Sequence, residues 1–383
     1  MMKIVIAPDS YKESLTALQV ANAIEAGFRQ VFPDAQYIKL PIADGGEGTV
    51  QSLVDATQGQ IIDCQVTGPL GTQVQAFYGL LGDGKTAVIE MAAASGLHHV
   101  PAAMRNPLHT TSYGTGELLR HALSRGVQHI ILGIGGSATN DGGAGMAQAL
   151  GVQLLDGQGQ NIGFGGAALA QLARIDCSAM DTRLNDVKLE VACDVTNPLC
   201  GSKGASQVFG PQKGAKAQMI AILDGNLAHF ADVMARDCGR EVRHLPGAGA
   251  AGGMGAGLMG LFNANLRAGI EIVADALRLS EIVADADLVI TGEGRIDSQT
   301  IYGKTPVGVA KIAKRFDVPV IAIAGAMGAD YSAVHQHGLD AVFSCVPRAM
   351  PLDDALTQAT NHVVQVAQNV AMALYVGRSL GCA

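Results

Sequence analysis

The sequence predicts an α/β fold of two α/β domains. One is a flavodoxin- or Rossmann-like parallel sheet built from both chain ends; the other is an α/β domain inserted between them. Three observations lead there. Short apolar strands alternate with amphipathic helical segments at the start of the chain and again from about residue 287, the alternation of a parallel sheet covered by helices. The middle reads differently, with a hairpin and separate strand-loop-helix units. The 383 residues also exceed the size at which one hydrophobic core keeps growing. The expected division is 1–85 with 270–383 for the first domain and 86–269 for the insert.

Lys3-Ile-Val-Ile-Ala7 is a short buried strand, followed by Val20, Ile24, Phe28 and Val31 at helical spacing. Thr16-x-x-Gln19 offers that helix a capping box. A strand near 36–42 leads into Ala43-Asp-Gly-Gly-Glu-Gly48 and a helix over 49–57. "GLLGDGKT", residues 79–86, fits the phosphate-loop pattern G-x-x-x-x-G-K-[ST], but β-rich runs flank it on both sides. Gly82-Asp83-Gly84 supplies the positive φ angles of a tight turn, so this is a hairpin tip with Lys85 solvated. A strand-loop-helix unit over 128–150, a strand ending at Ala192-Cys-Asp194 and a long helix over 214–236 follow. The last third alternates strand 287–291, helix 305–316, strand 318–324, helix 330–337, strand 339–345 and a long helix over 353–376.

Composition excludes several classes. Hydrophobic residues are 48% and charged residues 16%, which rules out a disordered chain. No apolar run approaches the roughly 18 residues that cross a bilayer, so a cytoplasmic protein is expected. A net charge of −8, with no run of Lys or Arg, argues against a nucleic-acid surface. Seven cysteines, at 64, 177, 193, 200, 238, 345 and 382, are odd in number and lack C-x-x-C, and read as reduced thiols. The histidines show no H-E-x-x-H spacing; His98-His99 and His335-x-His337 read as loop or helix-end residues, and no zinc site is expected. No G-x-S-x-G elbow is present. Glycine, at 49 residues, is nearly double its usual share of about 7% and clusters between periodic segments with Asp, Glu, Ser and Asn, as ligand-approaching loops do.

Parallel sheets bind ligands at the carboxyl ends of their strands. The loops at issue are Pro8-Asp-Ser-Tyr-Lys-Glu-Ser14, Ala43 to Gly48 and Thr291-Gly-Glu-Gly-Arg-Ile-Asp297, each mixing charge with small residues. The strongest phosphate candidate is Ile130 to Gly145, "IILGIGGSATNDGGAG": an apolar strand, a Gly/Ser/Thr loop, then a helix. There the N–H groups of Gly135, Gly136 and Ser137 can face an anion, with Thr139 and Asn140 in the same cofactor loop and Asp141 as a Mg²⁺ ligand. The plain alternative is a structural turn capped by Asn140 or Asp141. Gly133-x-Gly135-x-x-Ala138 also fits a dinucleotide fingerprint, with Asp156 about 20 residues on. A second glycine run, Gly247-x-Gly249-x-x-Gly252, reads equally as close backbone packing. Phosphoryl transfer needs cations, Mg²⁺ held by carboxylates, and an acid-base group. Lys12, Arg295, Asp44, Glu47, Asp141, Asp194 and Asp297 can supply them. The bland readings are a solvated Lys12 and an Asp194 capping its turn; Lys213 in "FGPQKGA", just before a helix, reads as solvated, with contact to phosphate as its other use.

"APDSYKESL", "ADGGEGT", "EMAAASGL", "TTSYGTGEL", "GIGGSATNDGGAGM", "ACDVTNPL", "FGPQKGA", "PGAGAAGGMGAGLM" and "TGEGRIDSQT" together resemble the motifs of the bacterial type-II glycerate kinase family, in the family's order from residue 3 to beyond 340. Only stretches such as 98–108 and 347–362 look unfamiliar. The resemblance implies two α/β domains with an interdomain cleft, and ATP-dependent phosphorylation of D-glycerate to 2-phosphoglycerate with Mg²⁺. Its partners are then D-glycerate and ATP, with no nucleic acid and no membrane, and a homo-oligomer left open. Individual roles are expectations: Asp194, Lys12 and Arg295 catalytic; Ser10, Lys12, Arg295 and Asp297 at the substrate; Gly135, Gly136, Ser137, Thr139 and Asn140 at the nucleotide; Asp44, Glu47 and Asp141 at the metal. The rivals are an NAD-dependent hydroxy-acid dehydrogenase using the 133–138 loop, a kinase forming 3-phosphoglycerate, and a binding protein without turnover.

Overall fold

The protein's structure is a computed structural model that describes residues 1–380. Cys382 lies outside the described residues. The chain forms two compact units, and both are mixed α/β.

The first unit comprises residues 1–44, 51–58 and the chain from Gly269 onward. Its sheet has five strands, in the order Ala341–Ser344, Val320–Ala324, Leu288–Gly292, Lys3–Pro8, Gln36–Lys39. All neighbours are parallel, and the register pairs Ile4 with Leu288 and Pro8 with Gly292. Strands from the two chain ends thus lie side by side, as the alternating apolar pattern predicts. Helix Ala17–Arg29 starts from the Thr16/Gln19 capping box and buries Val20, Ile24 and Phe28. It lies against helix Ala359–Leu380 so closely that a Cβ on Gly27 would sit 2.4 Å from the Val364 carbonyl oxygen. Ile4, Ile6, Ile290, Ile323, Val363 and Val370 complete that core. Two expected helices differ. Residues Tyr331–His337 form a 3₁₀ helix, and the long C-terminal helix is two, Leu352–Thr357 and Ala359–Leu380, because the shorter one closes at Gln358.

The second unit comprises residues 45–50 and 59–268. Its six-stranded sheet runs Asn265–Arg267, Lys188–Ala192, His129–Gly133, Thr86–Glu90, Gln73–Leu80, Gln60–Thr67. The first four strands are mutually parallel; the last two join as antiparallel neighbours. The expected boundary at residue 86 is therefore corrected. Gln60–Thr67 and Gln73–Leu80 hydrogen-bond to each other and to Thr86–Glu90, so they belong to the second sheet. The 79–86 stretch is the expected hairpin: Asp83 Oδ1 accepts the backbone N–H groups of Lys85 and Thr86, and Lys85 is exposed. Among the described residues no helix is long and apolar enough to cross a membrane.

Candidate active site

Within the first unit, the carboxyl ends of Lys3–Pro8 and Leu288–Gly292 put Asp9 and Glu293 at adjacent strand ends, with the Asp9 N–H donating to the Gly292 carbonyl at 2.8 Å. Asp9 Oδ1 accepts from the N–H and hydroxyl of Ser10, and Asp9 Oδ2 from the Thr305 hydroxyl at 2.9 Å. Burial, reinforced by the nearby Asp44 charge, pushes the Asp9 carboxyl up to about 6. Glu293 is buried and accepts the Thr300 hydroxyl at 2.6 Å, with Lys304 Nζ at 3.5 Å. Its carboxyl is pushed up to about 7 by burial, against the pull of Thr300 and Lys304. Arg295 is exposed and pairs with Asp297 at 3.1 Å; Asp297 also caps a 3₁₀ turn through the Gln299 N–H. Lys12 is exposed too, and its backbone N would lie 3.5 Å from a Cβ on Gly294. The structure thus brings the loops of Ser10, Lys12, Arg295 and Asp297 together, with Asp44 acting electrostatically on Asp9. Sequence reading missed Asp9, Glu293, Lys304 and Thr305. Asp9 and Glu293 were visible as acids one residue past an apolar strand, but nothing in the letters marks them as perturbed.

Within the second unit, His129–Gly133 ends beside Thr86–Glu90 and Lys188–Ala192, and Gly133 registers with both Glu90 and Ala192. The loops carrying Ser137 and Asp194 therefore leave the same sheet edge. Gly135 and Gly136 are exposed, Gly136 with φ +74°. A Cβ on Gly135 would meet nothing within 4 Å. The N–H groups of Gly135, Gly136 and Ser137 donate to no protein acceptor among the described residues, the arrangement a bound oxyanion completes. The loop's other edge is tied down: Leu97 N–H donates to the Gly136 carbonyl and Ala138 N–H to the Ser95 carbonyl, both at 2.9 Å.

Behind this tip the structure departs from the expected roles. Asp141 is fully buried. Its Oδ2 accepts the Ser112 N–H at 2.9 Å, the Ser112 hydroxyl at 2.8 Å and the Gly145 N–H at 3.3 Å; its Oδ1 accepts the Gly143 N–H at 3.1 Å. A carboxylate with both oxygens so occupied does not fit a metal ligand; it holds the loop, although burial raises its pKa. Thr139 and Asn140 are fully buried as well, so their side chains lie beneath the loop surface. Asn140 Nδ2 donates to the Ser206 hydroxyl at 2.9 Å, while Thr139 Oγ1 and Asn140 Oδ1 have no partner among the described residues. Lys213, read as solvated, is 1% exposed; its Nζ donates to Ser137 Oγ and to the Thr139 carbonyl, each at 2.6 Å. Burial brings its ammonium down to about 7.

The second glycine run explains itself by packing. A Cβ on Gly252, at φ +68°, would lie 2.0 Å from the Thr139 carbonyl oxygen, and Gly142 N–H donates to the Gly252 carbonyl at 3.0 Å. Asp156, the ribose residue of the dinucleotide reading, sits past Gln153–Leu155, which pairs antiparallel with Arg174–Asp176 outside the parallel sheet. Its side chain is spent on the Gln158 and Gln160 N–H groups. Asp194 and Glu47 are exposed; Asp44 is half-buried. Glu90, also missed, accepts the Val50 N–H at 2.9 Å and so fixes the loop that carries Glu47.

Glycine-tipped, anion-ready loops on parallel sheets define a class of α/β enzyme that handles phosphate. Comparison with known proteins narrows the class. The glycerate kinase family model matches residues 4–375. The chain is 63% identical to the glycerate kinase of Haemophilus influenzae over 97% of this chain and 99% of that one. It is 59% identical to the glycerate 2-kinase of Escherichia coli K12 over 98% and 99%. It superposes with a TM-score of 0.93 on the crystal structure of a glycerate kinase 2 candidate from Salmonella typhimurium LT2, at 62% identity and 99% coverage of both chains. The chain belongs to the glycerate kinase family, and is an enzyme that transfers a phosphoryl group to an alcohol acceptor.

Proposed function

We propose that this enzyme transfers the γ-phosphoryl group of ATP to the 2-hydroxyl of D-glycerate, giving 2-phosphoglycerate. The observation that carries the reading is the exposed Gly135-Gly136 tip, whose N–H groups donate to no acceptor among the described residues, at the end of an apolar strand. The choice of hydroxyl draws on the 59% identical relative, which is named a 2-kinase. Roles follow by unit. In the second, Gly135, Gly136 and Ser137 hold nucleotide phosphate, with Thr139, Asn140 and Asp141 supporting them from within; Asp194, on the neighbouring loop, orients the attacking hydroxyl and accepts its proton. In the first, Arg295 or Lys12 pairs with the glycerate carboxylate, and Ser10 and Asp297 fix the loops around them. The exposed Glu47 and half-buried Asp44 present hard carboxylate oxygens of the kind Mg²⁺ takes, whereas Asp141 does not. Mg²⁺ supplies charge neutralisation at the phosphates when bound. A cytoplasmic setting accompanies the reading, since the six cysteines among the described residues are free thiols.

The test couples product to enolase, with D-glycerate, ATP and Mg²⁺ supplied. Immediate consumption identifies the 2-phosphate. Dependence on added phosphoglycerate mutase identifies the 3-phosphate, and NADH formation from D-glycerate and added NAD⁺, with no ADP release from ATP, would return the dehydrogenase.

A further inference from the structure

Lys213 stands out among the charged groups with no role so far. Burying an ammonium is costly unless it is paired. Yet among the described residues no carboxylate oxygen lies within 4 Å of its Nζ, and both of its contacts are neutral oxygens of one loop, Ser137 Oγ and the Thr139 carbonyl. Asp141 is the opposite charge that acts on it, and that carboxylate is already occupied by Ser112, Gly143 and Gly145. Ser137 adjoins Gly135 and Gly136, which are exposed and whose N–H groups donate to no acceptor among the described residues. A sealed cation beside such a tip leaves a positive field with one side open. The lysine is itself fixed: the turn Pro211–Lys213 closes with Gly214 at φ +91°, and the Lys213 N–H donates to the Gly210 carbonyl at 3.0 Å.

We propose that Lys213 is a positioning residue for the nucleotide, its buried ammonium setting Ser137 and the Gly135-Gly136 tip in the shape that receives phosphate and supplying that tip with a fixed positive charge. The proposal rests on the kinase reading above and adds the residue that makes the loop selective for an anion. Burial explains both why the charge is strong there and why its proton is held less tightly than in water. Arriving phosphate completes the charge balance that Asp141 leaves open.

The experiment titrates ADP into wild type and into Lys213→Met by calorimetry, without glycerate, and measures KM for ATP and for D-glycerate separately. Methionine keeps the length of the stem and removes the charge. Loss of one buried charge-assisted contact set should weaken ADP about 10- to 100-fold and raise KM for ATP likewise, with KM for D-glycerate unchanged. Unchanged ADP affinity, or equal rises in both KM values, overturns the inference. Should Lys213→Met fail to fold, Ser137→Ala decides: it leaves the lysine in place and cuts its link to the tip, and should weaken ADP about 3- to 10-fold. Wild-type ADP affinity in Ser137→Ala overturns the inference. A wild-type enzyme that binds ADP but turns over no glycerate refutes the substrate assignment alone, since the ADP titrations still report on Lys213.

Discussion

Replacing Asp141 with Ala separates the two roles available to this residue. Asp141 accepts three backbone N–H groups and one hydroxyl in a fully buried site. Alanine leaves the N–H groups of Ser112, Gly143 and Gly145 without that acceptor, and an orphaned buried donor costs about 1–3 kcal/mol. Release of the carboxylate's own burial cost, and water entering the vacated space, offset part of this, so a loss of about 3–5 kcal/mol is expected. That is a large fraction of the roughly 5–15 kcal/mol that holds a domain folded. Urea unfolding of wild type and variant, followed by circular dichroism under one set of conditions, measures it. If Asp141→Ala unfolds within about 0.5 kcal/mol of wild type while its Mg²⁺ dependence collapses, Asp141 is a metal ligand and the reasoning is wrong.

Asp194→Asn should lower kcat by about 100-fold or more while the protein stays folded, because the near-isosteric amide cannot accept the proton; near-normal turnover removes Asp194 from the mechanism. Glu293 carries a pKa raised to about 7, so the folded state holds a proton that the unfolded chain releases above its ordinary carboxyl range. Its contribution to stability is fully present below that unfolded value and is lost as pH rises through about 7. Glu293→Gln should therefore gain on wild type in unfolding free energy as pH rises from about 5 to 8; parallel curves would contradict this. Gly252→Ala forces a Cβ to 2.0 Å from the Thr139 carbonyl oxygen at φ +68°, and should cost about 2 kcal/mol or more in urea unfolding while weakening ADP. Lys85→Ala should leave KM for ATP unchanged, since Lys85 is a solvated hairpin residue; a tenfold rise would revive the phosphate-loop reading.

Strand existence and order of elements were legible because apolar runs such as Lys3 to Ala7 and Val320 to Ala324 are too short for buried helices and rich in β-branched residues. The hairpin at 79–86 was legible from Gly82-Asp83-Gly84, whose turn chemistry overrides the phosphate-loop letters. The place where the chain leaves the first sheet was not, because Gln60–Thr67 carries the same alternation whichever sheet takes it, and only the pairing with Gln73–Leu80 decides. At the site, the Gly135 to Ser137 tip could be read from strand, glycine and helix in sequence. The depth of its neighbours could not. Asp141, Thr139, Asn140 and Lys213 look like solvent-facing polar residues in the letters but are buried; at Gly252 the backbone closes on Thr139 and Asn140, a contact the letters do not announce. Nor does a one-dimensional pattern reveal that Asp9 and Glu293, 284 positions apart, end adjacent strands.

On this reading nucleotide phosphate sits on the amides of Gly135, Gly136 and Ser137. Amide-resolved NMR of the labelled full-length enzyme, titrated with ADP and Mg²⁺, tests it directly. These three N–H resonances should move downfield and saturate with the calorimetric affinity, while Gly84 and Lys85 stay still. Saturable ADP binding that leaves all three amides unmoved would contradict it.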